Sequence, residues 1–468
     1  MPSDEEGDQM IRLTRRGLRI VSAVGLSSML LLVGTAPASA SQVAVDCAAD
    51  PSALQPAINA ASAGSKLFIS GTCLGAFTVW KPLTLKGAPA TLDAHGTHST
   101  VLTVLAHATV IGVSITGGSG VHQCGDQCGG GIRNEASLTL LRSTVSGNVA
   151  KVAGGIWNDG YLTLSRSTVT SNSASDSSGG IENQGTMVIT NSVVSSNSAA
   201  NAGGIRNVGI LTISRSTVSG NSAFTYSGGG IFNFDIATLN VADSTVSGNS
   251  AVEAGGGIAS AGGLTITRST VSGNTTGGPG GGILTNTATC CPPPAVMTSS
   301  TVSGNSASSG GGIYDLGPIS IVNSTVSGNS ASNGGGGGIF IQLFSPGPVT
   351  LASSIDAGNI EGDCTGESLF VSNGYNLVGA DCAFSSAGDQ TVADTASAIG
   401  IKPLGNYGGK TQTMALNAGS PAVDAVPVGA LGADGVTPLC PASGMTDQRG
   451  RPRPQGAGCD VGSYELRA

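Results

Sequence analysis

Gly154-Gly155-Ile156-Trp157-Asn158, then Leu162-Thr163-Leu164-Ser165-Arg166, then Ser167-Thr168-Val169-Thr170-Ser171-Asn172: these three short runs return along the chain in the same order. The closing asparagine recurs at Asn148, Asn172, Asn197, Asn221, Asn249, Asn274, Asn305, Asn329 and Asn359, at steps of 24 to 31 residues. The isoleucine after the glycines keeps step at Ile132, Ile156, Ile181, Ile205, Ile231, Ile258, Ile283, Ile313 and Ile339. A period in this range marks a solenoid, in which each repeat buries its apolar face only against its neighbours.

The internal pattern says which solenoid. Within a run, Leu162 and Leu164 alternate with Thr163, the period of a half-buried strand. No run has the length or the 3.6-residue period of a helix, and the leucine consensus of a leucine-rich repeat is missing. Three strands per repeat, divided by Gly, Ser and Asn, make one coil of a right-handed parallel β-helix, an all-β fold of the pectate-lyase-like type. Coils stack at about 4.8 Å, with Ile, Leu, Val and Asn inside. The recurring asparagines from Asn148 to Asn329 are expected to stack as an inward amide ladder, and the glycines to serve corners of close backbone approach.

The Gly-Gly-x-Ile element paired with an apolar-x-x-Asn run, as in Val145-Ser146-Gly147-Asn148, resembles the repeats of polymorphic outer-membrane proteins. More broadly it is similar to the secreted right-handed β-helix repeat proteins of bacteria. That architecture carries both adhesins and polysaccharide-cleaving enzymes, so the resemblance speaks to fold more than to activity.

Composition narrows the field. The chain has 468 residues with 74 Gly, 10% charged and 4% aromatic residues, and a net charge of −8. Few charges and much Gly and Ser are also marks of disorder, but apolar residues placed in strict register argue against it. No Lys/Arg-rich run suits a phosphate backbone, so nucleic acid is not an expected partner.

Residues 1–40 read as a signal peptide. Ile20 to Val33 is apolar, follows Arg12, Arg15, Arg16 and Arg19, and leads to Ala38-Ser39-Ala40, a small-residue cleavage signal. The run is too short for a comfortable membrane span. Thr14-Arg15-Arg16-Gly17-Leu18 resembles a twin-arginine signal, and the acidic residues before Met10 point to Met10 as an alternative start. Residues 41–117 are expected to hold a cap and the first coils. Ser52 to Ala61 is the one helix expected, because Leu54, Ala57, Ile58 and Ala61 share a face; it would cover the open end of the solenoid. Residues 118–360 carry the regular repeats, for about 11–13 coils in all.

Residues 361–468 differ in composition. Leu404 to Thr411, Leu416 to Asp424, Asp447 to Pro454 and Cys459 to Glu465 resemble the choice-of-anchor Q segment of bacterial surface β-helix proteins. The resemblance implies a C-terminal cap ahead of a surface anchor. Only Leu466-Arg467-Ala468 follow, so release or non-covalent retention is expected. Asp447, Arg449, Arg451 and Asp460 are expected to pair within the cap.

Ten cysteines fit an exported chain that makes disulfides. Proximity pairs Cys47–Cys73, Cys124–Cys128, Cys364–Cys382 and Cys440–Cys459, leaving the neighbours Cys290 and Cys291. Cys124 and Cys128 with His122 have zinc-like spacing, but no second Cys or His pair accompanies them, and neither metal nor cofactor is expected. His95, His98, His107 and His122 all precede the regular repeats and form no Ser/His/Asp set. No Walker loop or Asp-bearing RTX repeat is present.

One column holds the chemistry. If each Ile points inward, the next residue points outward, giving the file Arg133, Trp157, Glu182, Arg206, Phe232, Ala259, Leu284, Tyr314 and Phe340. Two positions on, the same face carries Glu135, Asp159 and Gln184. Carboxylates beside arginines and aromatic rings are what a saccharide-cleaving site uses: acid, base, charge stabilisation and stacking. A polysaccharide lyase or glycoside hydrolase would work with Asp159, Glu182, Arg133 and Arg206. The simpler reading is a row of surface ion pairs, each worth at most about 1 kcal/mol. Uniform repeats favour the simpler reading, because catalytic sites break local regularity. The expectation is a secreted or cell-surface, non-catalytic protein. Its role would be structural or adhesive, or the binding of extracellular polysaccharide or an envelope surface through Trp157, Glu182, Arg206, Phe232 and Tyr314. The column before Ser-Thr-Val (Arg142, Arg166, Asn191, Arg215, Asp243, Arg268) is expected to face solvent.

Overall fold

The computed structural model describes residues 40–95, 99–120, 129–286, 295–342, 345–366 and 369–467. The signal peptide, His98, His122, the pair Cys124–Cys128 and the neighbours Cys290 and Cys291 lie outside the described residues. No helix among the described residues is long and apolar enough to cross a membrane.

Each repeat winds once around, and the same residue of successive coils pairs in parallel: Ile132 with Ile156, Ile156 with Ile181, Ile181 with Ile205. About thirteen turns form a parallel β-helix. Among the described residues its sheets have 25, 12 and 9 strands, and the 12-stranded sheet carries the Gly-Gly-Ile runs and the candidate site. Ile156, Leu162, Leu164 and Val169 of one coil are fully buried or within 1% of it. Burying each such side chain stabilises the fold by about 1.5–3 kcal/mol.

Polar groups inside the column are satisfied by stacking, in three ladders where one was expected. In the first, the Asn148 side-chain amide donates to Asn172 Oδ1 at 2.9 Å, which also accepts the Asn148 backbone N–H at 3.1 Å. The pattern repeats through Asn197, Asn221, Asn249, Asn274, Asn305 and Asn329 to Asn359. A second ladder runs through Asn134, Asn158, Asn183, Asn207 and Asn233 at 2.6–2.7 Å, and passes to Ser260 at 3.0 Å. Further along this column Thr285 donates to Asp315. The third is serine: Ser143 N–H donates to Ser167 Oγ at 3.1 Å, Ser167 to Ser192, Ser192 to Ser216.

The serine ladder continues through Ser244 and Ser269, and the residue before each of these six serines turns the corner with φ near +50°: Arg142, Arg166, Asn191, Arg215, Asp243 and Arg268. Left-handed backbone costs a non-glycine residue about 1 kcal/mol, and the serine hydrogen bonds across the same corner offset it. Glycine is required elsewhere. A Cβ on Gly155 would lie 2.5 Å from the Gly180 carbonyl oxygen of the next coil.

Helix α1 (Leu54–Ala60) covers the first coil with Leu54 and Ile58, and Pro56 sits in its first turn, where no N–H is needed. Gln55 caps the exposed edge of the 12-stranded sheet: its Oε1 accepts the Thr78 N–H at 2.8 Å and its Nε2 donates to the Thr78 carbonyl at 3.3 Å. The Cys47–Cys73 disulfide ties this cap to the coil.

At the other end the C-terminal residues do two jobs. Leu369, Phe370 and Phe384 pack against the end of the main core, beside the Cys364–Cys382 disulfide. After helix α2 (Ala396–Ile399), the remaining chain turns back and lies along the flank of the solenoid. It covers the outward file of threonines: Thr270, Thr301 and Thr325 are buried, whereas Thr144, Thr168 and Thr217 in the same register are half-exposed. Thr301 donates to Gln448 Oε1 at 2.6 Å and shares hydroxyl contacts with Thr413 and Ser463, and Ser463 also meets Thr325 at 3.0 Å. Lys410 reaches Asp243 at 3.2 Å, beside the Arg268–Asp243 pair at 2.8 Å. The corner column expected to face solvent is therefore exposed at Arg142, Arg166, Asn191 and Arg215 but partly covered at Asp243 and Arg268.

Apolar packing of Ile355, Ile399, Leu416, Val426, Leu439 and Val461, with the Cys440–Cys459 disulfide, consolidates this lateral segment. Of its acid–base residues, Arg449 pairs with Asp447 at 2.7 Å and stacks on the Tyr464 ring at 3.5 Å. Asp460 accepts the Asp424 N–H at 2.8 Å. Arg451 is exposed, and only its backbone N–H meets Asp447. The buried cation is Arg453, which donates to the Asp460 and Gly462 carbonyls and lies 3.6 Å from Glu465.

Candidate functional site: the outward face of the Gly-Gly-Ile sheet

Strand pairing aligns Arg133, Trp157, Glu182, Arg206, Phe232, Ala259, Leu284, Tyr314 and Phe340 in one file, one residue per coil. The file splits into two parts with different surroundings.

In the first part the side chains are covered. Trp157 is 7% exposed and packs on Val152 and Ala153 of its own corner loop. Its indole N–H has no hydrogen-bond partner among the described residues. Glu182 is 0% exposed. Its oxygens accept from Arg206 at 2.5 Å, Gln184 at 2.7 Å and Ser177 at 3.0 Å. Burial pushes the Glu182 carboxyl above its ordinary range, and the Arg206 guanidinium works in the opposite direction. Arg133 pairs with Glu135 at 2.5 Å, two residues on and just past the end of the strand, and both are about one-third exposed or less. Asp159 is exposed at the end of its strand. Of the four residues a cleaving enzyme would use, Asp159 faces water and Glu182 is sealed as the counter-ion of Arg206.

The second part is aromatic. Phe232 and Phe234 meet edge-to-face with centroids 5.9 Å apart, and the Arg206 guanidinium lies 5.0 Å over Phe234. Tyr314 and Phe340, on neighbouring coils, stack at 5.2 Å with 14° between planes. The Tyr314 hydroxyl donates to Gln342 Oε1 at 2.7 Å. Phe234 is 37% exposed, and Phe232, Tyr314 and Phe340 are half-buried. Ala259 and Leu284 separate the two aromatic groups.

Sequence reasoning passed over Phe234, which follows the second ladder's Asn233 and supports Arg206 from the side. It also passed over the buried acids. Asp315 stands in register with the second ladder, accepts from Thr285 and Ser345, and is pushed by burial to about 6. Asp356 and Asp363 lie at the far end of the first ladder.

No family model matches the chain, and no curated protein matches it. Among solved structures, the crystal structure of pectate lyase Pel9A superposes with a TM-score of 0.39 at 13% identity, covering 92% of this chain and 96% of that one. The assignment to the parallel β-helix class rests on the strand pairing described above.

Proposed function

We propose that this chain is an exported β-helix whose outward face binds extracellular polysaccharide or an envelope surface without cleaving it. The observation that carries this reading is the division of the file. Its best-placed carboxylate, Glu182, is buried against Arg206, while the ring of Phe234 is exposed and those of Tyr314 and Phe340 are exposed in part. Aromatic faces stack on the apolar side of sugar rings, and amide and hydroxyl groups such as Gln342 and Tyr314 meet sugar hydroxyls. Three disulfides among the described residues support an oxidising, extracytoplasmic setting, as does the signal-like N-terminal sequence. The resemblances to polymorphic outer-membrane repeats and to the choice-of-anchor Q segment point the same way.

The test is a panel of neutral and acidic polysaccharides assayed in parallel for retention of the protein and for reducing ends or unsaturated products. Binding without product, reduced at least tenfold in Tyr314→Ala or Phe340→Ala, is the expected result. Turnover that disappears in Glu182→Gln would overturn it in favour of a lyase or hydrolase.

A further inference from the structure

The first asparagine ladder ends on carboxylates. Asn359 donates its backbone N–H and its side-chain amide to Asp363 Oδ1, at 2.8 and 2.7 Å, and the same amide lies 3.1 Å from Asp356 Oδ1. Asp356 Oδ2 faces Cys364 Sγ at 3.5 Å, and that sulfur is oxidised in the bond to Cys382, so it has no proton to give. Asp381 Oδ2 accepts the Asp363 N–H at 2.8 Å.

This leaves Asp363 Oδ2, which is buried and has no hydrogen-bond donor among the described residues; the group that faces it is the Asp394 carboxyl. Its surroundings are defined by a glycine. A Cβ on Gly379 would fall 2.0 Å from Asp363 Oδ2 and 2.5 Å from Asp394 Oδ1. Both oxygens therefore converge on the same glycine, and only the absence of a side chain there lets the two carboxylates come together. Asp356 and Asp363 are fully buried, while Asp381 and Asp394 stand at the surface, so the Asp363–Asp394 pair lies at the solvent boundary. None of the ion pairs among the described residues involves any of the four acids.

We propose that the gap between Asp363 Oδ2 and Asp394 Oδ1 is a binding site for a divalent cation of the calcium class. The donors are hard carboxylate oxygens, which suit calcium at about 2.3–2.6 Å, with water completing the shell on the open side. The energetics agree. Burial and the facing Asp394 carboxylate hold the Asp363 carboxyl above its usual range. Burial, Asp363, Asp381 and Asp394 do the same to Asp356. A divalent ion relieves this repulsion for Asp356 and Asp363 together, whereas a single shared proton neutralises one carboxylate. Because Asp394 precedes helix α2 and Asp363 holds Asn359, the ion joins the last coil to the start of the lateral segment.

The test uses the full exported chain, stripped with chelator and titrated with CaCl2 at pH 7.5, followed by calorimetry and thermal unfolding. Wild type is expected to give a saturable heat and an upward shift of Tm. Asp394→Asn, at a surface position that leaves the core intact, is expected to lose at least tenfold in affinity and most of the Tm shift. Gly379→Ala, whose methyl pushes the two carboxylates out of place without altering charge, is expected to lose both. A wild-type protein with neither heat nor Tm shift overturns the proposal. So does undiminished calcium binding in Asp394→Asn. So does wild-type stability that responds only to acidification from pH 7.5 to 5, which would assign the gap to a shared proton.

Discussion

Gln448 donates its side-chain amide to Thr270 Oγ1 at 2.9 Å and accepts the Thr301 hydroxyl at 2.6 Å, contacts that span 178 and 147 residues of sequence. One side chain thus fastens the lateral segment to two successive coils of the solenoid. Removing it takes one partner from each of two buried threonine hydroxyls, leaving Thr270 its bond to the Gln412 carbonyl and Thr301 its contacts with Thr413 and Ser463. Gln448→Ala is expected to destabilise this region by about 1–3 kcal/mol. Limited proteolysis should show earlier cleavage after residue 400 with the coils before Thr245 unaffected.

A second expectation concerns the candidate site. Among the described residues, Arg206 is the only guanidinium paired with the fully buried Glu182 carboxylate. Arg206→Ala leaves a buried charge unpaired and is expected to cost about 3 kcal/mol in denaturant unfolding. Glu182→Gln keeps the shape and removes the charge, so its cost should be under about 1 kcal/mol. Equal losses in the two variants would show that Glu182 is not held in the way described.

Asp315 provides a pH-dependent expectation. Its carboxyl is raised by burial from 3.8 to about 6, so the folded state holds its proton more tightly than the unfolded chain. The stability this supplies is complete below about pH 4, declines as pH rises towards 6, and is absent above that. Asp315→Asn should flatten that segment of the stability–pH curve. It should also raise stability at pH 7 by on the order of 2 kcal/mol. The register supports this choice, because Asn134, Asn158, Asn183, Asn207 and Asn233 occupy the same column.

The ladder itself is testable. Asn221 Oδ1 accepts both the backbone N–H and the side-chain amide of Asn197, at 3.0 Å each. Asn221→Leu leaves two buried donors unsatisfied, a loss of about 2–4 kcal/mol. Since repeats couple mainly to neighbours, hydrogen exchange should rise in the coils around Asn197 and Asn249 and fade towards the ends.

The winding and the register of the outward file were legible in the sequence, because Ile at one spacing and Asn at another fix which residue of each coil meets which. The second ladder was legible too and was passed over. Asn134, Asn158, Asn183, Asn207 and Asn233 recur two residues after each Ile, in the middle of runs read for their outward residues. The burial of Trp157 and Glu182 could not be read from the period. It depends on how the corner loops around Val152 and Ser177 fold over the strands, and those loops vary in length and composition. The lateral segment gave no local sign of its seat either. Its contacts are hydroxyls and one amide meeting a file of threonines that looks the same in coils it covers and coils it leaves bare.

That seat has a mechanical consequence. Coils joined only to their neighbours separate one at a time under tension, each giving way at its own small threshold. The C-terminal chain spans several coils between Asp243 and Ile355, so a pull directed along the column there must first peel it off. The last third of the molecule should therefore yield in one large event, and the first two-thirds in a series of small ones.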